Sequence, residues 1–216
     1  MIFGIFIYED TEPIDLATFG VLSMARRIEP GIKIHTIAPA SGITKLANGL
    51  RVMADFDIAS APYVDVLMVT GGPGWRQQIN SAAVLEFIRH RADESVLVSV
   101  CTGSLILAAS GVIDGKTATT KRETVAPEVP PIEVMRQAYP RIDVRHASLV
   151  AYDRIITGGG VSLCIDTTLY VLEKMLGSAV ATETARILEY HRARTANLAQ
   201  LPAIIVDHAQ VLSDCH

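Results

Sequence analysis

Two short apolar segments constrain the fold more than any other feature of this chain. VDVLMVT (64–70) and SVLVSV (95–100) are almost uninterrupted apolar runs. A strand that is apolar on both of its sides is buried on both faces, which is typical of a parallel sheet covered by helices. IFGIFIY (2–8), IKIHTIAP (32–39) and RIITGGG (154–160) are further short runs of the same kind. The sequence therefore predicts strands of one sheet at these positions.

Helical patterns alternate with the predicted strands. Apolar residues recur at helical spacing in four segments, namely 15–28, 81–92, 165–176 and 181–191. This alternation predicts an α/β fold in which a parallel sheet is covered on both sides. The proline-containing segment 126–140 interrupts the pattern, and we expect a short helix there, outside the core. From about residue 191 the pattern weakens, so we treat residues 191–216 as a tail that packs on the domain or on a partner subunit.

Composition and charge exclude several classes of protein. Half of the 216 residues are hydrophobic, 19% are charged, and the net charge is -4. No basic cluster suggests nucleic-acid binding, and no run of about 18 apolar residues suggests a membrane span. The apolar start lacks the basic leader of a signal peptide, and three widely spaced cysteines fit a reducing cytoplasm. We therefore expect a cytoplasmic protein that binds neither membrane nor nucleic acid.

Three glycine-containing corners follow predicted strands: TGGPG after residue 69, CTG after residue 100 and TGGG after residue 156. In an open α/β sheet, ligands bind beyond the carboxyl ends of the strands. No group of His, Cys, Asp and Glu has the spacing of metal ligands, and no nucleotide-binding glycine motif is present, so we expect no metal and no cofactor. The site is therefore predicted at these corners.

Cys101 lies in SVCTG, where an apolar strand ends and a helical pattern begins. The spacing of Ser99, Cys101 and Gly103 is that of a nucleophile elbow, a sharp turn that exposes the central side chain. A helix N-terminus lowers the pKa of a thiol, and the Thr102 amide would face a developing oxyanion. The alternative is a small buried core residue. Cys164 is predicted to be such a packing residue.

Two other segments offer groups to the same site. The glycine pair Gly71 and Gly72 exposes backbone amides that can bind an anion or oxyanion, although a plain tight turn is the simpler interpretation. Asp15 precedes a helical pattern, where aspartate is a preferred N-cap. A buried carboxylate beside a thiol could instead move protons, but sequence distance does not tell whether Asp15 meets Cys101.

The motifs SVCTGSLILAASGVIDGKTATT (99–120), VDVLMVTGGPG (64–74), PIDLATFGVL (13–22) and IITGGGVSLCIDTTLYVLEKMLG (155–177) resemble the ThiJ/PfpI superfamily. The resemblance covers roughly residues 2–190 and is strongest to the isocyanide hydratase branch; the amidase-like domains of some AraC-type regulators share much of it. The resemblance implies the flavodoxin-like fold of class I glutamine-amidotransferase-like proteins, which is a three-layer α/β/α sandwich with a mostly parallel sheet. It also implies that this domain spans residues 1–190.

The resemblance also implies roles for residues. Cys101 matches the nucleophile, Asp15 the acidic residue beside it, and Thr102 and Gly72 groups that line the pocket. In the hydratases the thiolate attacks the isocyanide carbon, and a thioimidate is hydrolysed to an N-substituted formamide without a cofactor. Many relatives have a histidine where this chain has Lys121, which speaks against a Cys-His dyad and leaves the substrate open.

Three functions follow as expectations. The first is a cysteine-dependent hydratase or hydrolase acting on a small C–N substrate. The second is a redox or ligand sensor with an oxidation-prone cysteine. The third is an intracellular peptidase or amidase, which would need another residue such as His146 in place of the missing histidine. The absence of a helix-turn-helix module speaks against a full AraC-type regulator, and the resemblance implies a homodimer.

Overall fold

The computed structural model of the protein describes residues 1–206 and contains an eight-stranded central sheet. Its strands are β1 (Ile2–Phe6), β2 (Lys33–Ala38), β5 (Phe56–Asp57), β6 (Val66–Val69), β7 (Val96–Ser99), β10 (Leu149–Tyr152), β11 (Ile155–Gly158) and β12 (Ile204–Val206). The strand order is β12-β10-β11-β7-β6-β1-β2-β5. All neighbouring strands are parallel except the β10–β11 hairpin, so the sheet is mostly parallel, as predicted.

Short strands and helices complete the described chain. The remaining strands are β3 (Ile43–Lys45), β4 (Arg51–Met53), β8 (Thr117–Ala118) and β9 (Asp143–Val144), which form two small two-stranded sheets. The helices are α1 (Ala17–Ala25), α2 (Trp75–Gln78), α3 (Ala82–Glu94), α4 (Gly103–Ser110), α5 (Pro131–Ala138), α6 (Leu163–Leu176), α7 (Ser178–Ile187) and α8 (His191–Gln200), with 3₁₀ turns at Pro13–Leu16 and Ala47–Gly49. Within this part of the chain, no helix is long and apolar enough to cross a bilayer.

Two hydrophobic cores lie on opposite faces of the sheet. Phe3 and Ile5 of β1 pack with apolar residues of α1, α6 and α7. Phe6 points to the other face and packs with residues of α3, α4 and α5. Successive side chains of a strand point to opposite faces, so a strand covered on both sides must be apolar throughout. The apolar runs of the sequence therefore come from a three-layer α/β/α sandwich, which confirms the predicted fold class.

The proline-containing segment differs from its prediction. The expected short helix is present as α5, but it is not outside the core. Ile132 and Met135 are fully buried, and Met135 belongs to the core that includes α3 and α4. The apolar residues on one side of this helix bury against the domain, so the segment belongs to the wall of the domain.

The described part of the tail packs on the domain. β12 pairs in parallel with β10 and forms one edge of the sheet. Asp166 of α6 accepts hydrogen bonds from the Tyr190 hydroxyl at 2.7 Å and from the Asn197 side chain at 2.9 Å. These contacts hold α8 against α6. The domain boundary at residue 190 stays a prediction, and Cys215 lies outside the described residues.

Candidate active site

Cys101 occupies a strained corner between β7 and α4. Its φ is 53°, in the left-handed region that non-glycine residues rarely adopt. The Cys101 amide donates to the Gly159 carbonyl at 3.1 Å, which ties the corner to the loop after β11. A Cβ on Gly103 would lie 2.3 Å from the Val69 carbonyl oxygen, so only glycine lets α4 begin this close to β6. The backbone therefore has the geometry of the predicted nucleophile elbow.

Asp15 lies beside this corner, although 86 positions separate it from Cys101 in the sequence. It belongs to the 3₁₀ turn before α1 and is fully buried. Its Oδ2 accepts a hydrogen bond of 2.6 Å from the Gly71 amide, and its buried Oδ1 accepts none from the described residues. The residue before α1 is Leu16, and no side chain caps that helix. The N-cap interpretation of Asp15 is therefore wrong.

Burial dominates the electrostatics of Asp15. Removal of the carboxylate from water raises its pKa to about 7, the Glu12 carboxylate also raises it, and the Gly71 amide and the Lys121 ammonium lower it. A carboxyl group with this pKa exchanges protons near neutral pH, which suits it to accept and return a proton.

The glycine pair and Thr102 form one hydrogen-bonded unit. The Gly72 amide donates to Thr102 Oγ1 at 2.9 Å, and the Gly71 amide is used by Asp15. Gly72 has a φ of 139°, and a Cβ there would lie 2.3 Å from the Asp10 carbonyl oxygen. The expectation that these two amides are open to an oxyanion therefore differs from the structure. Both donors instead fix side chains of the site.

The pKa of the Cys101 thiol is raised above its usual range, mainly because the residue is buried and secondly because the Asp15 carboxylate is near. The Thr102 amide and hydroxyl and the Lys121 ammonium lower it by less. The sequence predicts a lowered pKa from the helix N-terminus, and that expectation is wrong in its net direction. The thiol therefore needs a nearby base to lose its proton at neutral pH.

Cys101 opens onto a cavity of about 410 Å³. Apolar and charged side chains share its walls, and no histidine of the described chain is among them. The described lining residues are Glu12, Ile14, Gly72, Pro73, Trp75, Arg76, Cys101, Thr102, Lys121, Thr124, Glu128, Val129, Pro131 and Val161. His146 is exposed and does not line the cavity. A more open groove of about 600 Å³ lies at the opposite end of the strands, beside Asp93 and Arg154, and neither of the two described cysteines lines it.

Sequence reasoning missed two residues of this site. The buried Tyr8 hydroxyl donates to the Thr70 carbonyl at 2.9 Å and contacts the Thr102 side chain. A Cβ on Gly160 would lie 3.1 Å from Cys101 Sγ, so this glycine leaves room for the sulfur. The TGGG corner signalled Gly160, whereas a tyrosine just after an apolar strand carries no comparable signal.

Cys164 is placed as predicted for a packing residue. It is fully buried in α6, and its Sγ lies 3.7 Å from the Ile14 carbonyl oxygen. Among residues 1–206, no group of three or more His, Cys, Asp or Glu side chains is arranged to hold a metal ion.

The family model described as DJ-1/PfpI family matches residues 5–174, which contain all the site residues described above. The chain belongs to the DJ-1/PfpI family. Its sequence is 28% identical to that of an isonitrile hydratase from Pseudomonas putida, over 96% of this chain and 87% of that protein. It is 27% identical to the HTH-type transcriptional regulator GbdR of Pseudomonas aeruginosa over 83% of this chain, and it spans about half the length of that regulator.

Solved structures of the DJ-1/PfpI family share the fold. A ThiJ/PfpI family protein from Pseudomonas syringae matches with a TM-score of 0.75 and 22% identity, over 93% of this chain and 87% of that one. Because the family includes proteins named as transcriptional regulators, the comparisons do not support the expectation that this chain has no nucleic-acid partner.

Proposed function

We propose that this DJ-1/PfpI protein is a cysteine-dependent, cofactor-free hydratase that converts an isocyanide to an N-substituted formamide. One observation carries the proposal: Cys101, in its left-handed corner, opens onto the 410 Å³ cavity with the buried carboxyl group of Asp15 beside it. The similarity to an isonitrile hydratase over 96% of the chain supports the same reaction.

The first step forms a covalent adduct. Asp15 in its carboxylate form takes the proton of the Cys101 thiol, and its pKa of about 7 makes it a suitable base at neutral pH. The sulfur attacks the terminal carbon of the isocyanide and forms a C–S bond. The same carbon receives the proton back from Asp15, which gives a thioimidate, R–N=CH–S–Cys101.

The second step releases the product. A water molecule gives a proton to Asp15 while its hydroxide adds to the thioimidate carbon, and Asp15 passes that proton to the nitrogen. Asp15 then takes the proton of the new hydroxyl group as the C–S bond breaks and returns it to the sulfur, and R–NH–CHO leaves. The sum is the addition of one water to one isocyanide, so no oxidant, reductant or cofactor takes part.

The direct test follows cyclohexyl isocyanide and its formamide product by gas chromatography. We expect turnover by the unmodified protein, loss of at least about a hundredfold in Cys101→Ala and Asp15→Asn, and no loss in Cys164→Ala, the matched buried cysteine. If the unmodified protein converts neither this nor another simple isocyanide, the proposal is wrong.

The two other expected functions have less support. None of the histidines within residues 1–206 lines the cavity, which disfavours a Cys-His peptidase or amidase built from these residues. A peroxide-sensing cysteine reacts as a thiolate, and the raised Cys101 pKa disfavours that state. The homodimer and the cytoplasmic location stay predictions, and sedimentation of the purified protein would test the first.

A further inference from the structure

Lys121 is held at the Cys101 corner through its own backbone and that of its neighbour. The Thr120 hydroxyl donates to the Cys101 carbonyl at 2.8 Å. The Lys121 carbonyl accepts from the Ile132 amide of α5 at 3.1 Å. The position of Lys121 is therefore set from two sides, by the corner that carries the sulfur and by the helix that forms the cavity wall.

The Lys121 side chain begins next to the sulfur. A Cβ built on Gly160 would lie 3.1 Å from Cys101 Sγ and 2.8 Å from Lys121 Cβ, so both side chains flank the same glycine. Lys121 lines the cavity together with Cys101. Its ammonium group donates to the Glu123 carbonyl, and an ammonium carries three donors.

None of the ion pairs found within residues 1–206 includes Lys121, although its charge acts on the buried carboxyl group of Asp15. Glu12, Glu128 and the Arg76 guanidinium also line the cavity, whereas the Lys121 side chain begins beside the Cys101 sulfur and its charge lowers the pKa of that thiol. The Asp15 carboxylate acts on the sulfur as well, but its Oδ2 is bound by the Gly71 amide, and with a pKa of about 7 the group is partly protonated at neutral pH. Lys121 therefore supplies a positive charge at the end of the cavity next to the sulfur.

We propose that Lys121 binds an anionic group of the substrate, so that the site takes small isocyanides that carry a carboxylate. This inference rests on the proposed hydratase function and names its substrate class. A carboxylate on the ammonium would place the rest of a small molecule over Cys101, and hydration of an isocyano carboxylate yields an N-formyl amino acid. The reaction stays R–NC + H₂O → R–NHCHO, so the carboxylate is unchanged.

The decisive experiment measures charge selectivity at the sulfur without any turnover. Cys101 is alkylated with iodoacetate, which is anionic, and with iodoacetamide, which is neutral and of similar size, and the modified peptide is quantified by mass spectrometry. We expect the iodoacetate-to-iodoacetamide rate ratio to fall about fivefold in Lys121→Met at low salt. Lys121→Arg should keep the ratio, and so should Lys116→Met, which removes a lysine from the groove at the opposite end of the strands.

A purely structural role for Lys121 would change both alkylation rates in parallel and leave their ratio unchanged, and that result overturns the proposal.

The second arm compares hydration of isocyanoacetate with that of its neutral ethyl ester. We expect a KM for isocyanoacetate that rises about fivefold in Lys121→Met while the KM for the ester stays within twofold. If no isocyanide turns over but the alkylation ratio falls, the hydratase function fails and the anion site stands.

Discussion

Asp15 Oδ2 accepts a hydrogen bond of 2.6 Å from the Gly71 amide, and the Glu12 amide donates to the Gly71 carbonyl at 2.9 Å, so the turn before α1 is joined to the corner after β6. The other carboxyl oxygen, Oδ1, is buried without a hydrogen bond from any described residue. A buried carboxylate with one satisfied oxygen favours its neutral form. The contact therefore explains the position of Asp15 beside Cys101, whereas its raised pKa comes from burial, which outweighs the lowering effect of this hydrogen bond.

Asp15 makes folding stability depend on pH. Its pKa is about 7 in the folded protein and near 3.8 when unfolded, so the folded state holds the proton more strongly. The contribution of the Asp15 proton to folding stability is complete below the unfolded-state pKa and is lost as the pH rises to about 7. Asparagine has no proton to lose in this range, so we expect the Tm of Asp15→Asn to fall less than that of the unmodified protein as the pH rises from 4 to 8. Equal pH profiles in calorimetry would contradict the raised pKa.

Thr102→Val should destabilise the protein through the Gly72 amide. The substitution keeps the shape of the side chain but removes Oγ1, the acceptor of the Gly72 N–H. A buried donor left without a partner costs about 1–3 kcal/mol of unfolding free energy, which urea denaturation can measure. Thr117→Val, where the hydroxyl bonds an exposed carboxylate, is the control and should cost less than about 0.5 kcal/mol. Equal losses in the two variants would refute this account of Gly72.

Gly71→Ala should distort the corner itself. A Cβ there would lie 2.5 Å from the Thr102 amide nitrogen and 2.8 Å from Cys101 Cβ, and the backbone cannot give way cheaply. We expect a loss of at least about 2 kcal/mol of unfolding free energy together with slower alkylation of Cys101. Gly20→Ala in α1 is the matched control, because within the described chain that Cβ would meet no atom within 4 Å beyond its chain neighbours and the backbone of its own helix. Alanine is the better helix former, so this control should gain up to about 1 kcal/mol.

The two described cysteines should differ in reactivity. Cys101 lines the cavity, whereas Cys164 is fully buried in α6 and lines none of the cavities described above. Iodoacetamide should therefore modify Cys101 first in the native protein and both in urea. Because the Cys101 pKa is raised, its alkylation rate should climb about tenfold per pH unit above neutrality. A plateau near pH 7 would show that the thiol is instead acidic.

Local pattern was enough to predict β1, β2, β6, β7 and β11, the helices α1, α3, α6 and α7, and the Cys101 corner, but not the strands β10 and β12 or the helix α8. A strand buried on both faces must be apolar throughout, so β6 and β7 are readable from their residues alone. The corner is equally local, since Ser99, Cys101 and Gly103 are close neighbours along the chain. For α5 the sequence pattern predicted the helix but not its burial, because a proline-containing pattern does not show which surface the helix packs against.

Only the tertiary structure decided what surrounds the sulfur. Tyr8 and Asp15 reach Cys101 from the N-terminal part of the chain and Lys121 from a segment 20 residues after it, and no spacing in the sequence predicts those meetings. The direction in which the Cys101 pKa is shifted likewise depends on how the chain packs around the thiol. A helix N-terminus acts through the nearest residues and is visible in the sequence, whereas removal of the thiol from water depends on every element folded over it. The chain thus encodes its corner locally and the chemistry of that corner through long-range contacts.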